Sequence, residues 1–370
     1  MLAILSTGTA AAYPVSAWAR SYDLYRADYP KGAFCEAIGG ACSADPDLEN
    51  AFFQNPSALT AREPDWNFDG DYNASSNLEP GMKGANDVSD SRFMAGVGWG
   101  GERWGLGFGI SGRQSRVRST ATVIDAQALS HEVDLSTQST LIEIHIPFSW
   151  KVSEDLSLGI ALWAKSFAHS NSVNGGPADP GSADTFSAIG FILGFNQRLS
   201  SRFRVGSWLR SDLTQSQSIR LSSQALGSSQ DYVEGLELHS PWILGNGVAA
   251  SPWEDARTFF FDLDLIGPTR DGFQLTYDTF ANEAAGGAGR LRHKGRSISF
   301  EPRIGYRTPA PGLPLTTLHV GAFYEDPRWE GLSGRFHGTG GVSYKVLRWL
   351  EVMGGFDVSS NYTNFFVTFR

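Results

Sequence analysis

The sequence predicts an all-β protein, an antiparallel transmembrane β-barrel preceded by a short N-terminal hatch that contains a small helix. Three observations support this prediction. Large apolar residues alternate with polar residues or glycine from about residue 66 onward, which is typical of strands with two different faces. Aromatic residues lie near the ends of these segments. After the first twenty residues, no apolar run is long enough for a transmembrane helix.

The composition argues against two other classes of protein. The chain has 370 residues, of which 41% are hydrophobic, and its formal net charge is −9. Its 24 Phe, 11 Trp and 11 Tyr residues carry too much apolar surface for a disordered chain. A protein that binds nucleic acid normally has an excess of basic residues, so we expect no nucleic-acid partner.

The first nineteen residues resemble the end of a secretory signal peptide. Positions 2–12 are uncharged and mostly small or apolar, and Ala17 and Ala19 form an A-x-A cleavage site. The alternative is an apolar segment packed in a protein core. We therefore expect a signal peptide over residues 1–19, a hatch over 20–62 and the barrel over 63–370.

Two cysteines, Cys35 and Cys42, lie close together in a glycine-rich stretch of the hatch. In an exported protein, an even number of nearby cysteines predicts a disulfide. Zinc usually has four ligands and no histidine lies near this pair, so a metal site is the weaker alternative. Because the loop between the two cysteines is short, the disulfide is expected to stabilise a local turn.

A short helix is predicted after the cysteines. Asp45 is a suitable N-cap and Pro46 suits the first helical position. Leu48, Ala51 and Phe52 form one apolar face, and the dipeptide at Asn55 and Pro56 ends the helix.

The remaining segments are predicted strands. The clearest alternation occurs over 104–110, 142–150, 259–265 and 350–358. Several segments have about nine or ten residues, the length that a tilted membrane strand requires. One or two of the weak segments, 216–222 or 66–72, are expected to be loop. The other predicted strands are 92–99, 156–164, 186–197, 203–210, 232–239, 242–250, 272–280, 297–307, 317–325, 337–346 and 362–369.

A soluble β-sandwich would also alternate, but two features favour a membrane barrel. Trp99, Trp104, Trp150 and Trp349 lie near strand ends, where an aromatic girdle is expected. The opposite rows contain glycine and charged residues, which suit a polar barrel interior better than a dry core. These charged residues are Glu143, Arg204, Arg210, Asp262, Asp264, Glu301 and Arg303.

Three segments together resemble the long-chain fatty acid transporter (FadL) family. The first, residues 50–59, has the sequence NAFFQNPSAL and contains Asn55 and Pro56. The second, FRVGSWLRS at 203–211, is similar to a strand with a G-x-x-x-R-S pattern, and the third spans 240–253 with two Pro-Trp pairs. The alternating FFVTFR at 365–370 also resembles the last strand of bacterial outer-membrane barrels, with Arg370 following the usual terminal aromatic residue.

The resemblance implies a fourteen-stranded barrel in the outer membrane of a Gram-negative bacterium, with the hatch inside its lumen. It also implies that hydrophobic molecules are captured outside, pass an apolar pocket and leave sideways through the barrel wall. Glycine within the strands would permit a kink or a close backbone approach. The resemblance also extends to a variant of the fold that assembles as rings enclosing lipid, which is a further expectation for this chain.

The sequence contains no convincing catalytic site, so we expect no enzyme activity and no cofactor. His169 and Ser170 have the residue types of a membrane phospholipase, but their spacing is wrong. His145 shares a strand face with Glu143 and is expected to face the lumen as a hydrogen-bonded interior residue.

Several interior residues are expected to line the lumen or a ligand path. Asp262 and Asp264 share one strand face and are interpreted as partners of Arg204, Arg210 and Arg303, with a calcium site as the weaker alternative. Trp163 and Trp208 either face the lumen and form the floor of an apolar pocket, or face the lipid and belong to the aromatic girdle. The lining residues predicted are Glu143, His145, Trp163, Arg204, Trp208, Arg210, Asp262 and Asp264.

Three functions are compatible with these expectations. The first is passive transport of hydrophobic molecules, such as fatty acids or lipid-like compounds, by a barrel whose hatch blocks a simple water channel. The second is a structural homo-oligomer that retains membrane lipids. The third is an aqueous porin for small solutes.

Overall fold

The computed structural model describes residues 31–46, 48–61, 65–77, 85–124, 130–174, 182–222, 231–253, 257–268, 272–274, 291–293, 295–327, 334–360 and 362–370. The predicted signal peptide, 1–19, lies outside the described residues. Within this part of the chain, fourteen antiparallel strands form a closed barrel. Each strand pairs with the next along the wall, and β1 (Asp65–Asn77) closes the barrel by pairing with β18 (Tyr362–Phe369), for example through Gly70 and Phe369.

The described strands include four that lie outside the barrel wall. β8 (Leu213–Ser222) pairs with β9 (Asp231–Ser240) in one small separate sheet. β12 (Gly272–Gln274) pairs with β13 (Leu291–His293) in another. The strands are β1 Asp65–Asn77, β2 Ala85–Gly100, β3 Trp104–Ile124, β4 Ser130–Lys151, β5 Leu156–Asn174, β6 Ser182–Arg198, β7 Phe203–Arg210, β8 Leu213–Ser222, β9 Asp231–Ser240, β10 Ile243–Ala250, β11 Thr258–Ile266, β12 Gly272–Gln274, β13 Leu291–His293, β14 Ser299–Pro309, β15 Thr316–Glu325, β16 Arg335–Leu347, β17 Leu350–Ser359 and β18 Tyr362–Phe369.

The structure differs from the expectations at four of the predicted segments. Residues 66–72 are not a loop, because they belong to the barrel strand β1. The segments 232–239 and 272–280 were expected in the barrel, but β9 and β12 lie outside it, and residues 275–280 are outside the described part. Segment 216–222 lies in β8, which is a strand but not part of the wall. Alternation in the sequence indicates that a strand has two different faces, but it does not indicate which sheet the strand belongs to.

The inner segment, residues 31–61, lies inside the barrel. It contains helix α1 (Ala33–Ala37), helix α2 (Leu48–Phe53) and a 3-10 helix at Pro56–Thr60. Most of its described side chains are buried, and they contact inward-facing residues of the wall. The predicted disulfide between Cys35 and Cys42 is present.

The start of the predicted helix was placed too early. Helix α2 begins at Leu48 rather than at Pro46. The carboxylate of Asp45 instead accepts a hydrogen bond from Arg307 on β14, at 3.0 Å, and is therefore committed to the barrel wall. The end was predicted correctly, because α2 ends at Phe53 and a different helix begins at Pro56.

The two faces of the barrel strands have different environments. On β4, Glu143 and His145 are 1% and 0% exposed, whereas Ile144 between them is 37% exposed. Because neighbouring residues of a strand point to opposite faces, the first two face inward and Ile144 faces outward. The same pattern recurs on β11, where Asp262 and Asp264 are buried and Phe261 is exposed.

Candidate functional site

Glycine rows on the inner wall allow the inner segment to pack against the strand backbone. The ring of Phe52 lies against Gly96 and Gly98 on β2 and Gly107 on β3. A Cβ atom at Gly96 would stand only 2.3 Å from Cδ2 of Phe52, so no larger residue fits there without displacing the ring. The close backbone approach that the sequence allowed for these glycines is therefore observed.

The motif at Asn55 and Pro56 holds the inner segment together and attaches it to the wall. The Asn55 side-chain amide donates to the carbonyl of Ser43, at 2.8 Å, and to that of Phe195 on β6, at 3.0 Å. Its side-chain oxygen accepts a hydrogen bond from the Ser57 hydroxyl at 2.6 Å. A single buried side chain thus joins two turns of the inner segment and one barrel strand.

Ser43 is a second attachment point, which the sequence analysis missed. Its backbone N–H donates to Asp262 at 2.7 Å, and its hydroxyl accepts from Nε1 of Trp208 at 3.0 Å. A Cβ at Gly206 would come within 2.0 Å of the Ser43 carbonyl oxygen. No sequence pattern marks a serine of this kind, because its partners lie more than 150 residues away.

Glu36 on α1 is buried against three strands. It accepts hydrogen bonds from Arg92 on β2, at 2.7 Å, and from Asn364 on β18, at 2.9 Å. Burial raises the pKa of Glu36 above its ordinary value of 4.5, and the nearby Asp357 adds to this rise. Arg92, Lys31 and the Asn364 hydrogen bond oppose the rise in pKa.

A buried group of charged and aromatic side chains inside the wall, which we call the charge cluster, is formed by Glu143, His145, Trp163, Lys165 and Arg210. Arg210 Nη2 donates to both carboxylate oxygens of Glu143 at 2.8 Å. Lys165 Nζ lies 3.2 Å from Glu143, and His145 Nε2 lies at the same distance from it. The Arg210 guanidinium stacks on the Trp163 ring, 3.7 Å from its centroid.

Buried apolar residues adjoin the charge cluster and form what we call the apolar lining. Trp163 belongs to both groups, since its ring packs in a buried set with residues of β6, β7, β8, β10 and β11. The sequence left open whether Trp163 and Trp208 face the lumen or the membrane, and both are inside, at 1% and 2% exposed. The members of the apolar lining are Ala161, Trp163, Ile192, Trp208, Leu213, Ile243 and Ile266.

The aspartate pair behaves partly as expected. Arg303 Nε donates to Asp264 at 2.8 Å and the same guanidinium bonds to Glu301, which matches the predicted role of Asp264 as an arginine partner. Asp262 instead accepts from the backbone of Ser43. Within the described ranges, no group of three or more His, Cys, Asp or Glu side chains has an arrangement that would hold a metal ion.

The expected partners of the other two arginines were wrong. Arg210 pairs with Glu143, and Arg204 donates to the carbonyl of Ala61 at 3.0 Å and to the side chain of Asn196 at 3.3 Å. These pairings depend on which strands are adjacent in the wall, and alternation along one strand contains no such information. Lys165 was also missed, although it follows Trp163 on the same inward row of β5. The side chains of His169 and Ser170 lie outside the described part of the structure.

The outer face of the barrel is apolar. Large hydrophobic side chains are exposed around the wall, and tryptophans lie near the short connections at one end, at 101–103, 152–155 and 348–349. Trp104, Trp150 and Trp349 are 50%, 39% and 66% exposed there, as the predicted girdle requires. A closed sheet with this outer face is a transmembrane β-barrel. No helix in the described ranges is both long enough and apolar enough to cross a membrane.

The wall between β3 and β4 has a local interruption. Leu106 pairs with Phe148 and Gly109 pairs with His145, but the register has no pairs at the two positions between them. Pro147 lies in this gap and has no N–H group to donate to β3. A Cβ at Gly107 would be 2.9 Å from the Phe52 ring and 3.1 Å from Pro147, so Phe52 stands directly behind the interruption.

The chain is therefore a fourteen-stranded transmembrane barrel, as counted over the described residues, with an N-terminal segment inside it. Solved structures of the same architecture resemble it over nearly its whole length. The crystal structure of a Pseudomonas aeruginosa FadL homologue matches with a TM-score of 0.61 over 93% of this chain and 98% of that chain, at 10% sequence identity.

A toluene transporter and a hydrocarbon channel have similar structures. The Pseudomonas putida toluene transporter TodX matches with a TM-score of 0.62 over 91% of this chain and 97% of its own length, at 14% identity. The CymD monoaromatic hydrocarbon channel matches with a TM-score of 0.56 over 91% and 95%, also at 14% identity. These likenesses establish a FadL-like fold. No protein-family model matches the sequence, and no curated protein matches it.

Proposed function

We propose that this protein spans the outer membrane of a Gram-negative bacterium and passively transports hydrophobic small molecules, of a fatty-acid-like or lipid-like kind. The observation that carries the proposal is the apolar lining, which lies inside a barrel of the FadL-like fold. An interior for water and ions alone would not require two buried tryptophans beside Ile192, Ile243 and Ile266. The structural relatives are named as a transporter and a channel, which supports a role without catalysis.

The route that we propose has two parts. A hydrophobic molecule first contacts the apolar lining, which includes Leu213 at the start of the β8–β9 hairpin. It then passes Phe52 and leaves sideways between β3 and β4, where strand pairing is interrupted at Pro147. Membrane lipids are the proposed partners of the apolar outer face.

A conductance measurement tests the first part of the proposal. Nearly all described side chains of the inner segment between Phe34 and Thr60 are buried inside the barrel, so purified protein in a planar bilayer should show little steady conductance. Proteoliposomes should nevertheless take up toluene or octanoate faster than empty liposomes. Large, steady conductance steps without faster uptake would indicate the aqueous porin instead, and native mass spectrometry showing a ring with many lipids would indicate the structural oligomer.

A cross-link tests the sideways exit. Phe108 and Ile146 are both exposed on the outer face and fall opposite each other when the register on either side is continued through the interruption, so F108C with I146C should close it with a disulfide. The matched control is I160C with L193C, an outward-facing pair joined in register across β5 and β6. We expect the first cross-link to slow uptake about tenfold or more and the second to leave it unchanged. Equal uptake in both cross-linked proteins would exclude this exit.

A further inference from the structure

An open cavity of about 500 Å³, which we call the rim cavity, lies at the turn between β14 and β15. Its lining consists mostly of apolar residues of this turn, over 309–317, together with Lys345 on β16. Leu313 and Leu315 are each 60% exposed there. Large apolar side chains that remain exposed beside a cavity indicate a surface for a partner.

The rim cavity lies at the level where the membrane meets water. Because neighbouring wall strands are antiparallel, the turn over 310–315 is at the same end of the barrel as the turn at 348–349. The two turns are side by side, since the Lys345 N–H donates to the Leu315 carbonyl at 3.0 Å. Trp349 in the second turn is a girdle residue, and girdle residues mark the depth of the lipid headgroups.

One row of side chains joins the rim cavity to the lipid-facing wall. Thr316 lines the cavity at the start of β15. Residues two apart on a strand share a face, so Leu318 and Val320 continue the row of Thr316, and both are exposed on the outer face. A hydrocarbon chain that lies along this row therefore reaches the cavity from the membrane.

Two cations at the rim cavity form no ion pair with any residue of the described ranges. They are Lys345, which lines the cavity, and Arg348 in the adjacent turn, and both are exposed. Glu351 is opposite Lys345 in the strand register, but its carboxylate is already paired with Arg370 at 3.0 Å. The surface therefore keeps two positive charges, which favour an anionic partner such as a phosphate group.

The backbone at Leu315 is a separate observation that favours an apolar partner. Its φ of 67° lies in the left-handed region, where a side chain is disfavoured and glycine is not. A leucine at this position costs stability and also exposes most of its side chain to the surroundings. Strain of this kind is retained mainly where the residue serves binding.

We propose that the rim cavity binds one anionic phospholipid of the surrounding membrane. The phosphate of this lipid lies between Lys345 and Arg348. One acyl chain packs on Leu313 and Leu315 and continues along the outward row of β15. The site is outside the lumen, so it does not depend on which molecules the barrel transports.

Native mass spectrometry tests the choice of lipid, with the full-length protein exchanged into fresh detergent to remove bound lipid. Dioleoyl phosphatidylglycerol should bind as one molecule per barrel, at least about tenfold more tightly than dioleoyl phosphatidylcholine, because each nearby cation favours an anionic lipid by about fivefold. Glycerol 3-phosphate, an anion without acyl chains, should not displace it. Equal affinities for the two lipids, or displacement by glycerol 3-phosphate, would overturn the proposal.

Removal of the two cations tests the location of the headgroup. K345Q/R348Q should lower the affinity for dioleoyl phosphatidylglycerol about tenfold or more. R103Q/K151Q is the matched control, since it removes the same charge at the same end of the barrel but at the turns next to β3 and β4. This control should bind the lipid like the unmodified protein. An equal loss in the two variants would mean that the lipid responds to overall charge and has no site at the rim cavity.

A glycine at position 315 tests the location of the acyl chain without harm to the fold. Glycine adopts a φ of 67° freely, so L315G should resist urea at least as well as the unmodified protein. It removes an apolar contact and keeps both cations, and we expect its affinity for dioleoyl phosphatidylglycerol to fall about tenfold. Unchanged affinity in L315G would show that the rim cavity does not hold an acyl chain, and the proposal would be wrong.

Discussion

The absence of a side chain at Gly96 allows the inner segment to pack directly against the backbone of the barrel wall. The position stands in β2, where a glycine would ordinarily weaken the strand. Here the Phe52 ring fills the site that a Cβ would occupy. The alternation of glycine with large residues in the sequence therefore encodes two contacts at once, since one strand face meets the membrane and the other meets α2.

Substitution of Gly96 tests this contact. G96A would place a methyl group 2.3 Å from Phe52 Cδ2, and overpacking of this kind typically costs about 1–3 kcal/mol. Hydrogen exchange of residues 48–60 should accelerate accordingly. The matched control is G354A on β17, where a Cβ would have no atom within 4 Å and exchange should not change. Equal exchange in both variants would mean that Phe52 is not seated against β2.

The buried carboxyl of Glu36 predicts a pH dependence. Its pKa is raised above 4.5 in the folded protein, mainly by burial and against the attraction of Arg92 and Lys31. The folded state therefore holds the proton more tightly than the unfolded state, and the contribution of Glu36 to stability falls as the pH rises from about 4.5 through the raised pKa.

We expect hydrogen exchange in residues 33–46 to accelerate as the pH rises across this range, once the intrinsic pH dependence of exchange is subtracted. E36Q should flatten the change because it removes the titrating group and keeps one hydrogen-bonding oxygen. E102Q, in the exposed turn after β2, is the control and should behave like the unmodified chain. A pH profile that E36Q leaves intact would assign the effect to another group.

Residue orientation was the part of the interior that the sequence predicted well. Glu143 and His145 were placed inward because alternation in a strand fixes which side chains share a face. Their partners could not be predicted, since Arg210 is 67 positions away from Glu143 and on a strand that does not pair with β4.

The inner segment owes its order to its surroundings rather than to its own helices. Helix α1 has five residues and helix α2 has six, and isolated helices shorter than about 12 residues are marginal in water. Contacts with the wall through Ser43, Asn55 and Glu36 therefore hold it in place. This is also why the start of α2 was mispredicted, because the wall residue Arg307 takes the expected cap, Asp45.

The disulfide between Cys35 and Cys42 should affect this element alone. It closes a loop with a sequence separation of 7, and a loop of this size stabilises by about 2–3 kcal/mol in the chain-entropy account. In C35S/C42S, hydrogen exchange of residues 33–46 should accelerate while the urea midpoint of the barrel stays the same. Loss of the folded barrel in this variant would show that the disulfide supports the wall as well.

The wall as a whole depends on the lipid around it. Ile144 faces outward on β4, six residues from the girdle residue Trp150, which places it near the middle of an apolar band about 25 Å tall. I144R should reduce the free energy of folding into liposomes by about 2–4 kcal/mol, measured by urea titration. V152R, in the short connection after β4, lies beyond the band and should change it little. A similar loss in both variants would contradict the membrane orientation.

The architecture of the whole molecule was predicted from the sequence more fully than its individual contacts or elements. Period-two alternation, the girdle tryptophans and the strand lengths together indicated a barrel, because closure and burial in lipid constrain every wall strand in the same way. The same alternation failed for the β8–β9 hairpin, whose strands also have two different faces. The role of 66–72 was missed because Gly70 interrupts the apolar row formed by Trp66, Phe68 and Tyr72.

The bond between Glu36 and Asn364 joins residues 328 positions apart. Asn364 lies on β18, the strand that completes the ring with β1. Segments this distant in sequence meet late and slowly during folding, since the loop between them must close first. Glu36 is translated early, but its contact with Asn364 can form only after β18 has been inserted. Completion of the wall and packing of the inner segment inside it are therefore expected to occur together, late in folding.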